Sequence, residues 1–199
     1  MPSHLVYYQR NLPRRLPPGE TLFITFRLAE SLPLEALERL KAEFEAVARL
    51  EETQEEFYAR QRRYFGRFDS YLDSATTGPT WLRQPALAQL VQQSLHFYDG
   101  KQYALVCYCI MANHVHLVVA LPEGAAPLAQ TLQALKGYTA NLGNKLLGRK
   151  GQFWQRESYD HIIRSPAELE RVVAYVLNNP VKAGLITDWQ QWPYTYWAP

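Results

Sequence analysis

Tyr103-Ala-Leu-Val-Cys-Tyr-Cys-Ile-Met-Ala-Asn-His-Val-His-Leu-Val-Val-Ala-Leu121 is the stretch that decides how this chain folds. Two apolar runs, residues 103–110 and 114–121, flank Met-Ala-Asn, and each has the length and the β-branched and aromatic content of a strand. Together they read as an antiparallel hairpin. Residues two apart on a strand share a face, so His114 and His116 point together and Val115 points away. Two such imidazoles can converge on one metal ion or can be hydrogen-bonded core histidines, and so short a motif leaves both readings open. Cys107 and Cys109 share a face by the same rule. Whether it is the histidine face depends on the loop, since a two-residue loop puts them there and a three-residue loop does not. A Cys-x-Cys plus His-x-His zinc site is thus a rival reading, opposed by the common use of buried cysteine as a small apolar side chain.

Working outward, residues 21–28 read as a first strand. Residues 34–65 are dense in Glu, Arg, Ala and Leu at helical spacing, one helix or two, with the charges as a solvated face. Residues 73–79 read as a loop and residues 85–98 as a helix. After the hairpin come a helix over 127–147, a strand over 159–164 and a last helix over 166–178. That order suits a four-stranded antiparallel sheet with helices mainly on one face, a ferredoxin-like (RRM-like) α+β fold. One domain over 1–199 is expected, with a basic, proline-rich arm over 1–20 and a C-terminal tail over 186–199.

The last helix has a clear start: Ser165 as N-cap, Pro166 at the first helical position and Glu168 placed to close a capping box. Leu169, Val172, Val173, Val176 and Leu177 form one apolar stripe that docks it on the sheet. Tyr175 and Asn179, four apart, neighbour each other beside that stripe. Pro180 should end the helix, because the residue before proline avoids the α region.

Bulk properties allow an ordinary soluble enzyme. The chain has 199 residues, 47% hydrophobic and 20% charged, and a net charge of +2, too small to argue for nucleic acid by itself. No apolar run has membrane-spanning length, and the start carries no signal-peptide stretch. With two cysteines and no disulfide framework, the expected compartment is the cytoplasm.

The ordered set of motifs resembles the single-tyrosine HUH transposases of the IS200-like family, and within them the REP-associated tyrosine transposases. The resemblance rests on Met111-Ala-Asn-His-Val-His116, on Tyr175-Val-Leu-Asn-Asn-Pro-Val-Lys-Ala-Gly-Leu185 and on Phe153-Trp-Gln-Arg-Glu-Ser-Tyr-Asp-His-Ile-Ile-Arg164. Tyr7-Tyr-Gln-Arg-Asn-Leu-Pro13, Phe23-Ile-Thr-Phe-Arg27 and Trp192-Pro-Tyr194 extend it, and only the charged helical segment 34–65 falls outside. The family usually has proline where this chain has Ala112. The resemblance implies cutting of single-stranded, hairpin-flanked DNA by Tyr175 as nucleophile, through a 5′-phosphotyrosine link. It implies a divalent ion, Mg2+ or Mn2+, held by His114, His116 and Asn179, and a prokaryotic, DNA-associated protein that acts as a monomer or a homodimer. A non-catalytic DNA-binding protein on the same fold is the alternative.

For DNA contact, Lys136, Lys145, Arg149, Lys150, Arg156 and Arg164 cluster in the second half with Phe153 and Trp154 among them, and Arg10, Arg14 and Arg15 lie in the arm. Cations for phosphates beside aromatics for bases is what single-strand binding needs. Among them Arg14, Arg15, Lys136, Arg149, Lys150, Trp154 and Arg156 are the candidate contacts.

Overall fold

The computed structural model describes residues 19–46, 53–74 and 77–198, so Arg10, Arg14 and Arg15 lie outside the described residues. The β-branched and aromatic runs form β1 (Thr21–Arg27), β2 (Ala104–Ile110), β3 (His114–Ala120) and β4 (Tyr159–Ile163). A fifth strand, β5 (Thr195–Trp197), comes from the C-terminal tail, and the antiparallel sheet runs β4-β1-β3-β2-β5. The α+β architecture expected from the sequence is present. The extra strand escaped notice because three residues behind Pro193 carry no periodicity to read.

The hairpin closes through Met111 N–H donating to the His114 carbonyl at 2.9 Å, next to the Ile110–Val115 pair, which leaves a two-residue loop of Ala112 and Asn113. In this register Cys109 lies opposite His116 and Thr25 of β1 lies opposite His116 on the other side. One face of the sheet carries Leu22, Ile24, Phe26, Val115, Leu117 and Val119, packed under α3 (Pro85–Tyr98) and α4 (Leu128–Leu146). The opposite face carries Phe23, Cys107, Cys109 and Val118, covered by Val176 and Leu177 of α5 (Pro166–Leu177) and by Phe65. Helices therefore serve both faces rather than mainly one. The reason is in β3: Leu117, Val118 and Val119 are consecutive and all buried, so neither face can be left wet.

The charged segment is two helices, α1 (Leu34–Ala46) and α2 (Gln54–Ser74). A reciprocal cap starts α2: Thr53 N–H donates to the Glu56 carboxylate at 2.9 Å and Glu56 N–H to Thr53 Oγ1 at 3.3 Å. The helix then runs past Phe65 to Ser74, into what the sequence suggested was a loop. Phe65, Asp69, Leu72 and Asp73 sit at helical spacing on its inward side, and Leu72 is fully buried.

The α4 helix passes so close to the next loop that glycine is required at 143. A Cβ there would stand 2.6 Å from Phe153 Cε2 and 2.9 Å from Cζ, against a ring in the core. Gly143→Ala is expected to lower stability by roughly 1–3 kcal/mol despite alanine's better helix propensity, because a buried ring cannot move aside cheaply. Urea unfolding of the variant measures it, and an unchanged or raised midpoint would contradict this packing.

Candidate active site

Four elements bring polar side chains to one point between β3 and the helices above it. His114 and His116 lie on β3, fully buried, with their Nε2 atoms 3.0 Å apart. Each ring is fixed from behind. His114 Nδ1 meets Asn113 Oδ1 at 2.7 Å, and Asn113 is itself oriented by donating from Nδ2 to the Leu72 carbonyl of α2 at 3.1 Å. An amide oxygen only accepts, so Nδ1 carries the His114 proton and Nε2 is the bare nitrogen. His116 Nδ1 lies 2.7 Å from Thr25 Oγ1 across the β1–β3 pair, and Phe23 stacks at 5.7 Å between ring centroids.

From α2 comes Asp69, fully buried, with Oδ1 at 3.2 Å from His116 Nε2 and 3.8 Å from His114 Nε2. Asp73, one turn on, reaches 3.7 Å from His114 Nε2. Neither acid figured in the sequence reading, which took residues 34–65 as a solvated face and 73–79 as loop. The available signal was the spacing of Phe65, Asp69, Leu72 and Asp73 on one helical face.

The α5 helix delivers Tyr175, whose hydroxyl donates to Asp69 Oδ2. Its N-terminus is capped as expected by Ser165, accepting from Glu168 N–H at 3.2 Å. The Glu168 carboxylate, however, reaches Arg164 N–H and His161 Nε2, both at 2.8 Å, rather than the Ser165 amide. Helix α5 stops at Leu177, but the chain does not leave: Asn179–Lys182 turns again as the short helix α6, with Pro180 in its first turn, where a missing N–H costs nothing. That second turn puts the buried Asn179 amide 3.1 Å from His116 Nε2 and 3.5 Å from Asp69 Oδ2. It also puts Lys182 Nζ 2.8 Å from Asp73 Oδ2 and 3.3 Å from Asp69 Oδ2.

The electrostatics follow from burial. Desolvation, then the neighbouring His116, drives the His114 imidazole down to about 3, so it stays neutral. Burial opposes ionisation of Asp69, but His116, His114 and the Tyr175 hydroxyl outweigh it and hold the carboxyl below its usual range. Burial and the charge of Asp69 push Asp73 up, against the pull of Lys182. Burial, then Asp69, pushes the Tyr175 phenol far above its ordinary value. Tyr175 rests protonated and needs an acceptor.

The donor set suits a cation. Asp69 Oδ1 and Asn179 Oδ1 are buried without a hydrogen-bond partner, and bare imidazole nitrogen faces them. Asp69, His114 and His116 present ligand atoms within 4.8 Å of one another, the one such group among the described residues. The two ends of the Asn179 amide have the same shape, so a half-turn offers its oxygen to the cluster. Acceptors crowded together out of water repel unless a positive charge joins them. The tertiary structure thus adds Asp69 to the histidines and Asn179.

Cys107 and Cys109 do share the histidine face, but both are free, and burial pushes both thiols up to about 12. They pack with Phe23, Met111 and Val118 as core, outside the cation-binding group. The DNA-contact candidates divide. Trp154 is 5% exposed, donates from Nε1 to Thr139 Oγ1 at 2.8 Å and packs against Phe26, so it has no free face for a base. Phe153 is likewise core. Lys136 is tied to Gln155 O and Ser158 Oγ, and Arg149 to Asn144 Oδ1 and the Trp81 ring. Lys150 and Arg156 are exposed.

A histidine pair on a central strand is thus faced by a helix-borne tyrosine and by an asparagine one turn later. Residues 81–179 match the family model described as Transposase IS200 like. It is 31% identical over 102 residues to a putative REP-associated tyrosine transposase of Haemophilus influenzae, covering 47% of this chain and 58% of that one. It is 25% identical over 96 residues to the REP-associated tyrosine transposase of Escherichia coli K12, covering 48% and 54%. The chain thus spans little more than half the length of these curated relatives. A solved REP-associated tyrosine transposase, bound to a REP hairpin, shares the fold with a TM-score of 0.57 at 17% identity, over 92% of this chain and 80% of that one. Asp69 and Asp73 precede the matched family segment.

Proposed function

We propose that the chain is a metal-dependent single-stranded DNA nickase and strand transferase that acts at hairpin-flanked, REP-like palindromes through a phosphotyrosine at Tyr175. The observation that carries this reading is the meeting of the Tyr175 hydroxyl with His114, His116, Asp69 and Asn179 in one buried cluster. Tyr175 Oη attacks the phosphorus and the bond to the 3′-oxygen breaks, leaving a 5′-phosphate on the tyrosine and a 3′-hydroxyl. Asp69 has two oxygens for two tasks: Oδ2 accepts from the phenol and is in place to take its proton, while Oδ1 faces the histidines. Mg2+ or Mn2+, when bound by His114, His116, Asp69 and Asn179, supplies the charge that polarises the scissile phosphate. Because these ligands are fully buried, the strand enters from the side of Tyr175 and Lys182, where the site reaches solvent.

The test compares three oligonucleotides for covalent adduct formation: a palindrome from the gene's own flanks as a single-stranded hairpin, its fully paired form, and a scrambled stem. Adduct on the hairpin is expected, with little or none on the duplex. Opening a duplex costs on the order of 1.4 kcal/mol per step, while stacking returns roughly 1–3 kcal/mol per base, enough to hold an open strand but not to melt a long one. Equal cleavage of all three would overturn the substrate class, and no adduct on any would leave the non-catalytic DNA-binding reading.

A further inference from the structure

Lys182 is the cation that pairs with both acids of the site. The α6 turn places it three residues after Asn179, and its ammonium lies 5.3 Å from the centre of the Tyr175 ring. Its side chain is 44% exposed, whereas those of Asp69 and Asp73 are 0% and 8% exposed. It therefore spans from the buried cluster to the solvent edge beside the nucleophile. An ammonium has three donors, and Asp73 Oδ2 at 2.8 Å and Asp69 Oδ2 at 3.3 Å account for two. The third is available to a ligand arriving from the open side.

We propose that Lys182 binds the scissile phosphate, its ammonium reaching from the Asp73 carboxylate to a non-bridging oxygen next to Tyr175. The assignment rests on the single-strand nickase reading and adds the residue that receives the substrate. The competing role is a plain counter-ion for two buried acids, which would give Lys182 no dependence on the charge of the DNA.

A cycle between protein and substrate charge separates the two. Affinity for the hairpin oligonucleotide is measured by fluorescence anisotropy with Mg2+ in the Tyr175→Phe background, for Lys182 and for Lys182→Gln, with a normal or a neutral methylphosphonate linkage at the cleavage position. With Lys182 present, the neutral linkage is expected to weaken binding about tenfold, as loss of a charged hydrogen bond does. In Lys182→Gln the two linkages should bind alike, and the slope of log affinity against log salt should fall by about 0.7. Lys182→Arg should restore both. Should Lys182→Gln fail to fold, Lys182→Gln with Asp73→Asn removes the acid left bare and is measured in the same way. An unchanged response to the methylphosphonate in the Gln variant, with binding otherwise intact, overturns the role of Lys182 alone. Loss of adduct in the Tyr175 protein, with no single-strand binding, overturns the nickase reading and this assignment with it.

Discussion

Tyr175→Phe is expected to reduce the covalent DNA–protein adduct to background while changing fold stability and DNA affinity little. The ring stays where it packs, 5.7 Å from His116 and 6.1 Å from Phe23 between centroids. Only one hydrogen bond, to Asp69 Oδ2, is lost, and that oxygen keeps Lys182 at 3.3 Å and the Asn179 amide at 3.5 Å. A cost of about 1 kcal/mol in stability is therefore expected. Denaturing gels with end-labelled single-stranded hairpin DNA read the adduct, and thermal unfolding reads the stability. Persistence of the adduct would move the nucleophile to another tyrosine. Tyr138, 57% exposed, is accessible but belongs to α4 on the other face of the sheet, and Tyr159 is stacked on Phe65 at 4.1 Å, its phenol raised by burial.

Removing the metal, or the histidines that would hold it, is expected to stop cleavage outright. His114→Ala with His116→Ala leaves Asp69 and Asn179 as an incomplete ligand set, and Asn179→Ala should weaken cleavage on the order of 10–100-fold by taking one ligand from four. Metal binding has its own readout in stability, since an ion that binds only the folded chain adds about 2.7 kcal/mol at 100 times its Kd. The wild-type chain should gain thermal stability with Mn2+, and the double histidine variant should gain none. Asp69→Asn should lose most of the gain as well, because the amide keeps the shape of the carboxylate without its charge. Undiminished cleavage in excess EDTA, by protein verified free of metal, would remove the metal from the mechanism.

Much of this was legible along the chain. The bounds 85–98 given for α3 are those observed, and the hairpin around Met-Ala-Asn is present. Tyr175 and Asn179, four apart, do reach one cluster. The termination at Pro180 does not hold as expected: α5 stops at Leu177, yet Asn179, the residue before proline, already opens α6, whose first turn accommodates Pro180. Trp154, grouped with its basic neighbours as a DNA contact, proved to be core. An aromatic beside cations in sequence can face the opposite way from them, and burial decides which.

The sequence by itself determined the pairs that lie within a turn or a strand of each other: His114 with His116, Tyr175 with Asn179, Ser165 with Glu168. Their relative placement follows from a period of 2 or 3.6 residues, which a local pattern carries in full. Only the tertiary structure decided that Asp69, 45 residues before His114 and 106 before Tyr175, joins both. It likewise decided that Cys109 faces His116 yet stays apolar core, and that Lys182 meets Asp73. An aspartate on a charged helix has the same local signature whether it faces water or a core. What distinguishes the two is the set of groups that replaces its lost hydration, and here those groups come from β3, α5 and α6, brought together only when the helices close over the sheet.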